Sequence, residues 1–517
     1  MNPLEADVSA AGPRGLAKLS RGAYRRAPIL QMHIVGLTLL VCGVGIIGSG
    51  IVGALTDQTH VGALVGTGAG VGIVGFVLWW TTTTPTKISL LDVFTTVSLA
   101  WVAMAICGSI PYLATSTLGT IDLALFESVS GFTTTGATVL RPIEDASDGI
   151  LFWRAITQWI GGMGVIVLVV AVLPQVGSGG MNLLAAEAPG PTGERLTPRV
   201  AQTARHLWAV YGGFTVILAI AYMLAGMSLY DGVAHSFTTV STGGFSPYNR
   251  SLAHFESALI EWIAIAAMFL AGTSFTLMYR AIRGRPGPLL KSVELKLYVA
   301  VVLGATSLVY LTADAGTGME ALRQSMFTVV AITSTTGFAT ADFGLWSDAA
   351  QSVILILMPL GAMAGSTAGG VKMVRILAIA SHAHRETLRH LHPRLVRPIR
   401  VGGVALDDQI GNKVLGFFVL ALATFGGGGL IVAMTGSDII TSFSASATLL
   451  GNVGPGLGDV GPTSDFLNIS RLARIVGMGS MLLGRLEIYP ILLALAALPL
   501  SGPRRVISRV VRADPDD

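Results

Sequence analysis

Residues 130–138 read Ser130-Gly131-Phe132-Thr133-Thr134-Thr135-Gly136-Ala137-Thr138, a hydroxyl-rich cluster ending in glycine and set between two long apolar runs. Three later stretches repeat it. They are Thr239-Val240-Ser241-Thr242-Gly243-Gly244-Phe245, Ile332-Thr333-Ser334-Thr335-Thr336-Gly337-Phe338 and Leu450-Gly451-Asn452-Val453-Gly454-Pro455-Gly456. With Gly136, Gly243, Gly337 and Gly454 as the key glycines, the spacings are 107, 94 and 117 residues. One Thr-Thr-Gly after an apolar run carries little information. Four of these clusters, each inside a span–short run–span pattern, make an internal repeat.

The surroundings of the clusters are those of a membrane protein. Of 517 residues, 52% are hydrophobic and only 12% charged, against about 25% charged in soluble proteins. Lipid must therefore cover much of the surface. The 64 glycines, many inside apolar runs, suit membrane helices that approach closely. Cys42 and Cys107 both lie in apolar runs and suggest neither a disulfide framework nor a metal site. Segment 1–28 is polar and basic, without a cleavable signal pattern.

A spanning helix needs about 20 mainly apolar residues. Ten such stretches are predicted, at 29–55, 62–80, 90–114, 152–174, 206–227, 258–279, 296–313, 349–376, 414–434 and 469–498. With both termini inside, 26 of the 33 lysines and arginines fall on the inner side, among them Lys87, Arg195, Arg199, Lys291, Lys372, Arg375 and Lys413. That asymmetry fits an even number of spans and cytoplasmic termini. The expected fold is all-α: two N-terminal transmembrane helices (29–82), then four M1–pore-loop–M2 repeats at 88–182, 203–281, 292–382 and 412–500. The tail is 501–517.

Each cluster lies in an outer segment too short to cross. Irregular backbone at membrane depth survives only where protein buries it or water lines it. Four such elements can surround one axis, each with a short helix whose partly negative C-terminal end faces the centre. Glycine permits the backbone angles that would turn carbonyls inward. The result is a carbonyl cage that replaces a cation's hydration shell. No ring of Asp or Glu accompanies it, which favours a monovalent cation over calcium.

Two further features lie on such a path. The run Gly361-Ala362-Met363-Ala364-Gly365-Ser366-Thr367-Ala368-Gly369-Gly370 interrupts one span. It reads either as a close helix–helix contact or as an unwound pore-lining loop suited to gating. Gly484-Arg485-Leu486-Glu487 sits inside the last span. Residues two apart do not face each other on a helix, so Arg485 is expected to face the pore and oppose cations, not to pair with Glu487. Arg154, Arg323, Arg471 and Arg474 are expected to snorkel outward. His33 is expected at the interface, and His382, His384, His390 and His392 on a solvated inner surface.

These motifs resemble the bacterial TrkH/TrkG potassium-uptake subunits of the Trk/Ktr/HKT superfamily. The likeness is carried by FESVSGFTTTGAT from Phe126, WRAITQWIGGMGVIVL from Trp153, EAPGPTGERLTPRVAQTA from Glu187 and STGGFS from Ser241. It continues through STTGFATADF from Ser334, AGSTAGGVKMVR from Ala364, GNVGPGLG from Gly451 and GRLEIYP from Gly484. The resemblance implies a pseudo-fourfold pore in each subunit of a homodimer. It implies potassium at Thr134, Thr135, Gly136, Ser241, Thr242, Gly243, Thr335, Thr336, Gly337, Asn452, Val453 and Gly454, and glycine at position 136 goes with potassium preference over sodium. It implies a gate at Gly365, Ser366, Thr367, Gly369, Gly370 and Arg485. It also implies a cytosolic nucleotide-binding regulatory partner of the TrkA type; this chain carries no dinucleotide-binding fingerprint of its own, so any nucleotide control would come from that partner. Potassium is then the substrate, with no cofactor, lipid surrounds the chain, and nucleic acid is not a partner.

An integral-membrane enzyme would need a titratable constellation at one depth, and the sequence offers no HExxH, no paired intramembrane Asp and no Ser/His/Asp set. A proton-coupled carrier of organic substrates should show several intramembrane carboxylates, whereas Glu487 is nearly alone. The expected activity is uptake of potassium through a gated pore in the bacterial inner membrane. A less selective potassium/sodium pathway and a proton- or sodium-coupled symporter remain open.

Overall fold

The structure is a computed structural model that describes residues 27–84, 90–172, 200–313, 316–392, 399–402, 404–406 and 408–497. Most of segment 1–28, the 501–517 tail, Lys87, Arg195, Arg199 and the string from Glu187 up to residue 199 lie outside them.

The described residues open with α1 (Ala27–Leu55) and α2 (Val61–Thr81), an antiparallel pair. Their glycines let the backbones meet. A Cβ at Gly36 would lie 2.6 Å from the Trp79 nitrogen, and one at Gly75 2.6 Å from the Leu40 nitrogen. The first repeat is α3 (Leu90–Ala114), α4 (Ile121–Phe132) and α5 (Asp148–Val172). The second is α6 (Val200–Leu224), α7 (Leu229–Val240), α8 (Ala258–Ala271) and α9 (Phe275–Ile282). In the third, α10 (Val293–Thr312) and α11 (Met319–Thr333) precede α12 (Asp348–Leu357) and α13 (Met373–Leu391). The fourth is α14 (Asp408–Met434), α15 (Ile439–Gly451), α16 (Arg471–Arg485) and α17 (Tyr489–Ala497).

The short helices α4, α7, α11 and α15 have 12, 12, 15 and 13 residues. At 1.5 Å per residue each spans roughly 18–23 Å, less than the ~30 Å hydrocarbon core. Side-chain caps fix where several helices begin: Ser228 accepts from Asp231 N at the start of α7, and Asp438 accepts from Ile440 N and Thr441 N at the start of α15.

Six described helices are long and apolar enough to cross a membrane, and two bent pairs raise that to eight. The bends correct two spans predicted as continuous. Helices α8 and α9 meet at 104°, and α16 and α17 at 111°. At the first break the backbone bonds elsewhere: Phe275 N donates to Gly365 O at 3.0 Å. At the second, Glu487 and Ile488 take left-handed conformations, φ 59° and 63°. The predicted span 349–376 is also interrupted, because α12 stops at Leu357 and α13 starts at Met373. The inner segment that follows is mostly helix α13, which carries His382, His384 and His390. Among the described residues, one departure from the all-α expectation follows it, an antiparallel hairpin of β1 (Ile399–Val401) and β2 (Val404–Leu406), with Ile399 paired to Leu406.

Two apolar cores hold the repeats. One joins α1, α3, α4 and α5 to α15 and α16 through Trp101, Phe126, Trp153, Leu449 and Met481. The other joins repeats two and three through Tyr222, Met268, Tyr298, Phe327 and Met358. Repeat one therefore packs on repeat four as well as on its sequence neighbour. Outward-facing Leu55, Trp80, Leu224 and Met434 are large, apolar and exposed, as a lipid-facing surface requires.

Candidate functional site

Each short helix ends in the same backbone hook. Thr134, Thr242, Thr335 and Asn452 are left-handed, with φ of 53°, 55°, 59° and 55°. Two residues later comes a left-handed glycine: Gly136, Gly244, Gly337 or Gly454, with φ of 80°, 79°, 74° and 108°. The residue between them turns its N–H back to the helix. Thr135 N donates to Ser130 O, Gly243 N to Thr238 O, Thr336 N to Ala331 O and Val453 N to Thr448 O, at 2.8–2.9 Å.

This register corrects repeat two by one residue. Gly244, not Gly243, stands where Gly136, Gly337 and Gly454 stand. Gly243 takes the place of Thr135, and Ser241 that of Thr133. Two adjacent glycines hide the register, and only the backbone angles separate them.

The four hooks close on one another. A Cβ at Gly136 would lie 2.2 Å from the Gly243 carbonyl oxygen, and one at Gly244 would lie 1.9 Å from that of Thr336. One at Gly337 would lie 1.8 Å from the Val453 oxygen, and one at Gly454 would lie 2.7 Å from the Thr135 oxygen. Each glycine thus abuts a carbonyl of the next repeat, and the fourth returns to the first. A side chain at these positions would enter the ring, so glycine is needed for the close approach as well as for its left-handed φ.

The hooks are secured unequally. Thr133 and Thr135 share a hydroxyl–hydroxyl bond of 2.7 Å, and Ser334 and Thr336 one of 2.8 Å. In repeat two, Gln158 of α5 donates from Nε2 to Gly243 O at 2.7 Å and accepts at Oε1 from Phe245 N at 3.0 Å. In repeat four, Asn452 Nδ2 donates to Thr135 Oγ1 at 3.0 Å and to Met481 O at 2.9 Å.

The carboxylate nearest in sequence to the first hook, Glu127, is wholly buried and paired with Arg154 at 2.8 Å. It also accepts from Thr138 Oγ1 and Val139 N. Arg154 donates in addition to Ser246 O at 3.0 Å and lies over the Phe245 ring. The expected snorkelling of Arg154 is therefore wrong, since carboxylate, carbonyl and ring give the guanidinium everything that water would. Arg323 pairs with Glu261 at 2.7 Å, and Arg471 and Arg474 both face Asp122.

Residues 358–372 run across the C-terminal ends of α7, α11 and α15. Thr367 Oγ1 donates to Val240 O at the end of α7, at 3.0 Å. Gly369 N donates to Thr335 Oγ1 at 2.8 Å, and Met363 N to Gly272 O at 3.0 Å. Gly365 and Gly370 are left-handed, φ 75° and 65°. Arg485 also holds the loop. Its Nη1 donates to Thr367 O at 2.7 Å and its Nη2 to Gly161 O of repeat one at 3.0 Å. Glu487 instead pairs with Arg375. Buried Glu294, in the first turn of α10, accepts at Oε1 from Ala364 N at 2.7 Å and from Val374 N at 3.1 Å.

A family model described as a cation transport protein, TrkH, matches residues 63–293 and 295–502. The chain belongs to the TrkH family. Among similar TrkH-family proteins, the Trk system potassium uptake protein TrkH of Halomonas elongata is 39% identical over 409 residues, covering 77% of this chain and 84% of that one. The Trk system potassium uptake protein TrkH of Escherichia coli K12 is 35% identical over 427 residues, 81% and 88% of the two chains. The crystal structure of the potassium transporter TrkH from Vibrio parahaemolyticus superposes with a TM-score of 0.80 at 34% identity, covering 90% of this chain and 98% of that one.

In this TrkH-family chain the sequence-predicted residues of repeats one, three and four meet in the ring, and those of repeat two meet it one residue later. Gly365, Ser366, Thr367, Gly369, Gly370 and Arg485 lie in or against one loop. Reading the sequence missed Glu294 and Gln158. Each is a polar group at the edge of or inside an apolar run, and that was the available signal.

Proposed function

We propose that this TrkH-family chain takes up potassium across a bacterial inner membrane through a gated pore. The observation that carries the reading is the closed ring in which Gly136, Gly244, Gly337 and Gly454 each abut the next repeat's carbonyl. A ring of backbone oxygens can replace the water that a cation sheds on entry. The four short helices add the partly negative charge of their C-terminal ends. Neutral oxygens without carboxylates suit a monovalent ion. Relatives named as potassium uptake proteins support potassium as that ion.

On this reading the ion meets the backbone of Thr134-Thr135-Gly136, Thr242-Gly243-Gly244, Thr335-Thr336-Gly337 and Asn452-Val453-Gly454. Residues 361–370 form the gate, and Arg485 latches it while adding a positive barrier. The wider architecture is ten spans, two plus four M1–pore-loop–M2 repeats with the boundaries given above, with both termini cytoplasmic. A homodimer with one pore per subunit and a TrkA-type cytosolic partner completes the proposal. The unequal hooks favour a second reading, a less selective potassium/sodium pathway. Rubidium uptake into proteoliposomes separates the two: a tenfold excess of sodium should leave uptake nearly unchanged, and strong competition would reject potassium selectivity.

A further inference from the structure

We infer that Gln158, a side chain of repeat one, is the positioning residue that sets ion selectivity at the repeat-two hook by fixing the Gly243 carbonyl. The inference rests on the potassium-filter reading above.

In repeats one and three the hook secures itself. The residues flanking the left-handed position, Thr133 with Thr135 and Ser334 with Thr336, bond hydroxyl to hydroxyl. Repeat two keeps the first member, Ser241, and lacks the second, because Gly243 has no side chain. Ser241 Oγ turns back to Thr238 O at 3.3 Å. The vacated volume belongs to Gln158. A Cβ at Gly243 would lie 2.3 Å from the Gln158 Cδ and 2.4 Å from its Oε1.

The buried carboxamide is matched to the loop at both ends. Phe245 N can only donate and Gly243 O can only accept, so the orientation of the Gln158 amide is fixed by its partners. One turn earlier on α5, Arg154 holds Ser246 O and covers Phe245. Helix α5 therefore grips the second hook at residues 243, 245 and 246.

The Gly243 oxygen is also a member of the ring, against Gly136. Among the described residues it is the one of the four ring oxygens that accepts a side-chain donor. Gln158 thus shares a lone pair of one filter oxygen and fixes its direction. An oxygen released from that bond can tilt to fit a smaller ion, which is how selectivity for potassium over sodium would be lost.

The test is the potassium-to-sodium permeability ratio of the full chain in proteoliposomes. Gln158→Glu keeps the acceptor for Phe245 and sets a carboxylate oxygen against the Gly243 oxygen; Gln158→Ala removes both bonds. Each loses the bond to Gly243 O and should lower the ratio about tenfold, the factor that 1.4 kcal/mol represents, near the upper end for that one neutral hydrogen bond. Gly243→Thr alone should abolish uptake by colliding with Gln158. The double variant Gln158→Ala/Gly243→Thr supplies the hydroxyl clip with Ser241 and should recover most of the wild-type ratio. An unchanged ratio in inserted Gln158 variants overturns the inference, while a selective wild type leaves the filter reading standing. Where a single variant fails to insert, the double decides: recovery supports the inference and no recovery overturns it. A wild type that does not prefer potassium rejects the filter reading itself, and this inference with it.

Discussion

Arg485 Nη1 donates to the Thr367 carbonyl oxygen at 2.7 Å, joining a helix of repeat four to the glycine loop of repeat three. Its Nη2 reaches Gly161 O of repeat one at 3.0 Å. One side chain thereby ties three repeats, across what the proposed pore makes the ion's path out of the ring.

Removing that tie should open the path. Charge-assisted hydrogen bonds contribute about 1.5–3 kcal/mol each. Arg485→Ala should raise rubidium efflux from liposomes at least about tenfold. Arg485→Lys, lacking the guanidinium fork, should fall between. Unchanged or slower flux in a folded Arg485→Ala variant would contradict the latch.

Glu294 secures the same loop at Ala364. Both of its backbone bonds use Oε1. Glu294→Gln keeps that acceptor and should behave almost as wild type. Glu294→Ala strands two N–H groups, at about 1–3 kcal/mol each, and should leak. Equal leak from the two variants would show that charge, not the acceptor, is what matters.

The ring glycines should rank by the room around them. A Cβ meets a carbonyl at 1.8 Å at Gly337, 1.9 Å at Gly244, 2.2 Å at Gly136 and 2.7 Å at Gly454. Alanine at Gly337 or Gly244 should abolish uptake, and Gly454→Ala should retain the most. Growth of a potassium-uptake-deficient bacterial strain on limiting potassium reads the order; Gly337→Ala outperforming Gly454→Ala would refute it.

The Arg154–Glu127 pair predicts a stability effect. Breaking one side of a buried pair costs about 3–5 kcal/mol, because it strands a charge. Arg154→Met should lower the melting temperature in detergent markedly, and adding Glu127→Gln should restore part of it. A double variant less stable than the single would rule out the stranded charge as the cause.

Much of this was legible in the chain. Thr134 and Thr335 announce their hooks because a hydroxyl pair and a glycine follow a short apolar helix. Gly243-Gly244 does not announce its register, since either glycine satisfies the pattern and the choice lies in φ. The break after Ala271 is hidden as well: Gly272-Thr273-Ser274 is brief, the apolar run resumes at Phe275, and the bond that replaces the helical one comes from Gly365. Partners far along the chain were equally out of reach. Arg375 finds Glu487 across 112 residues, and Arg154 prefers Glu127 to the interface because the fold buries both.

Reversal potentials of the full chain in proteoliposomes, under opposed potassium and sodium gradients with a pH gradient imposed in turn, test the central claim most directly. A selective carbonyl ring predicts a potential that follows the potassium gradient and ignores sodium and pH. A potential that tracks sodium equally, or that shifts with the pH gradient, would contradict a potassium-selective pore.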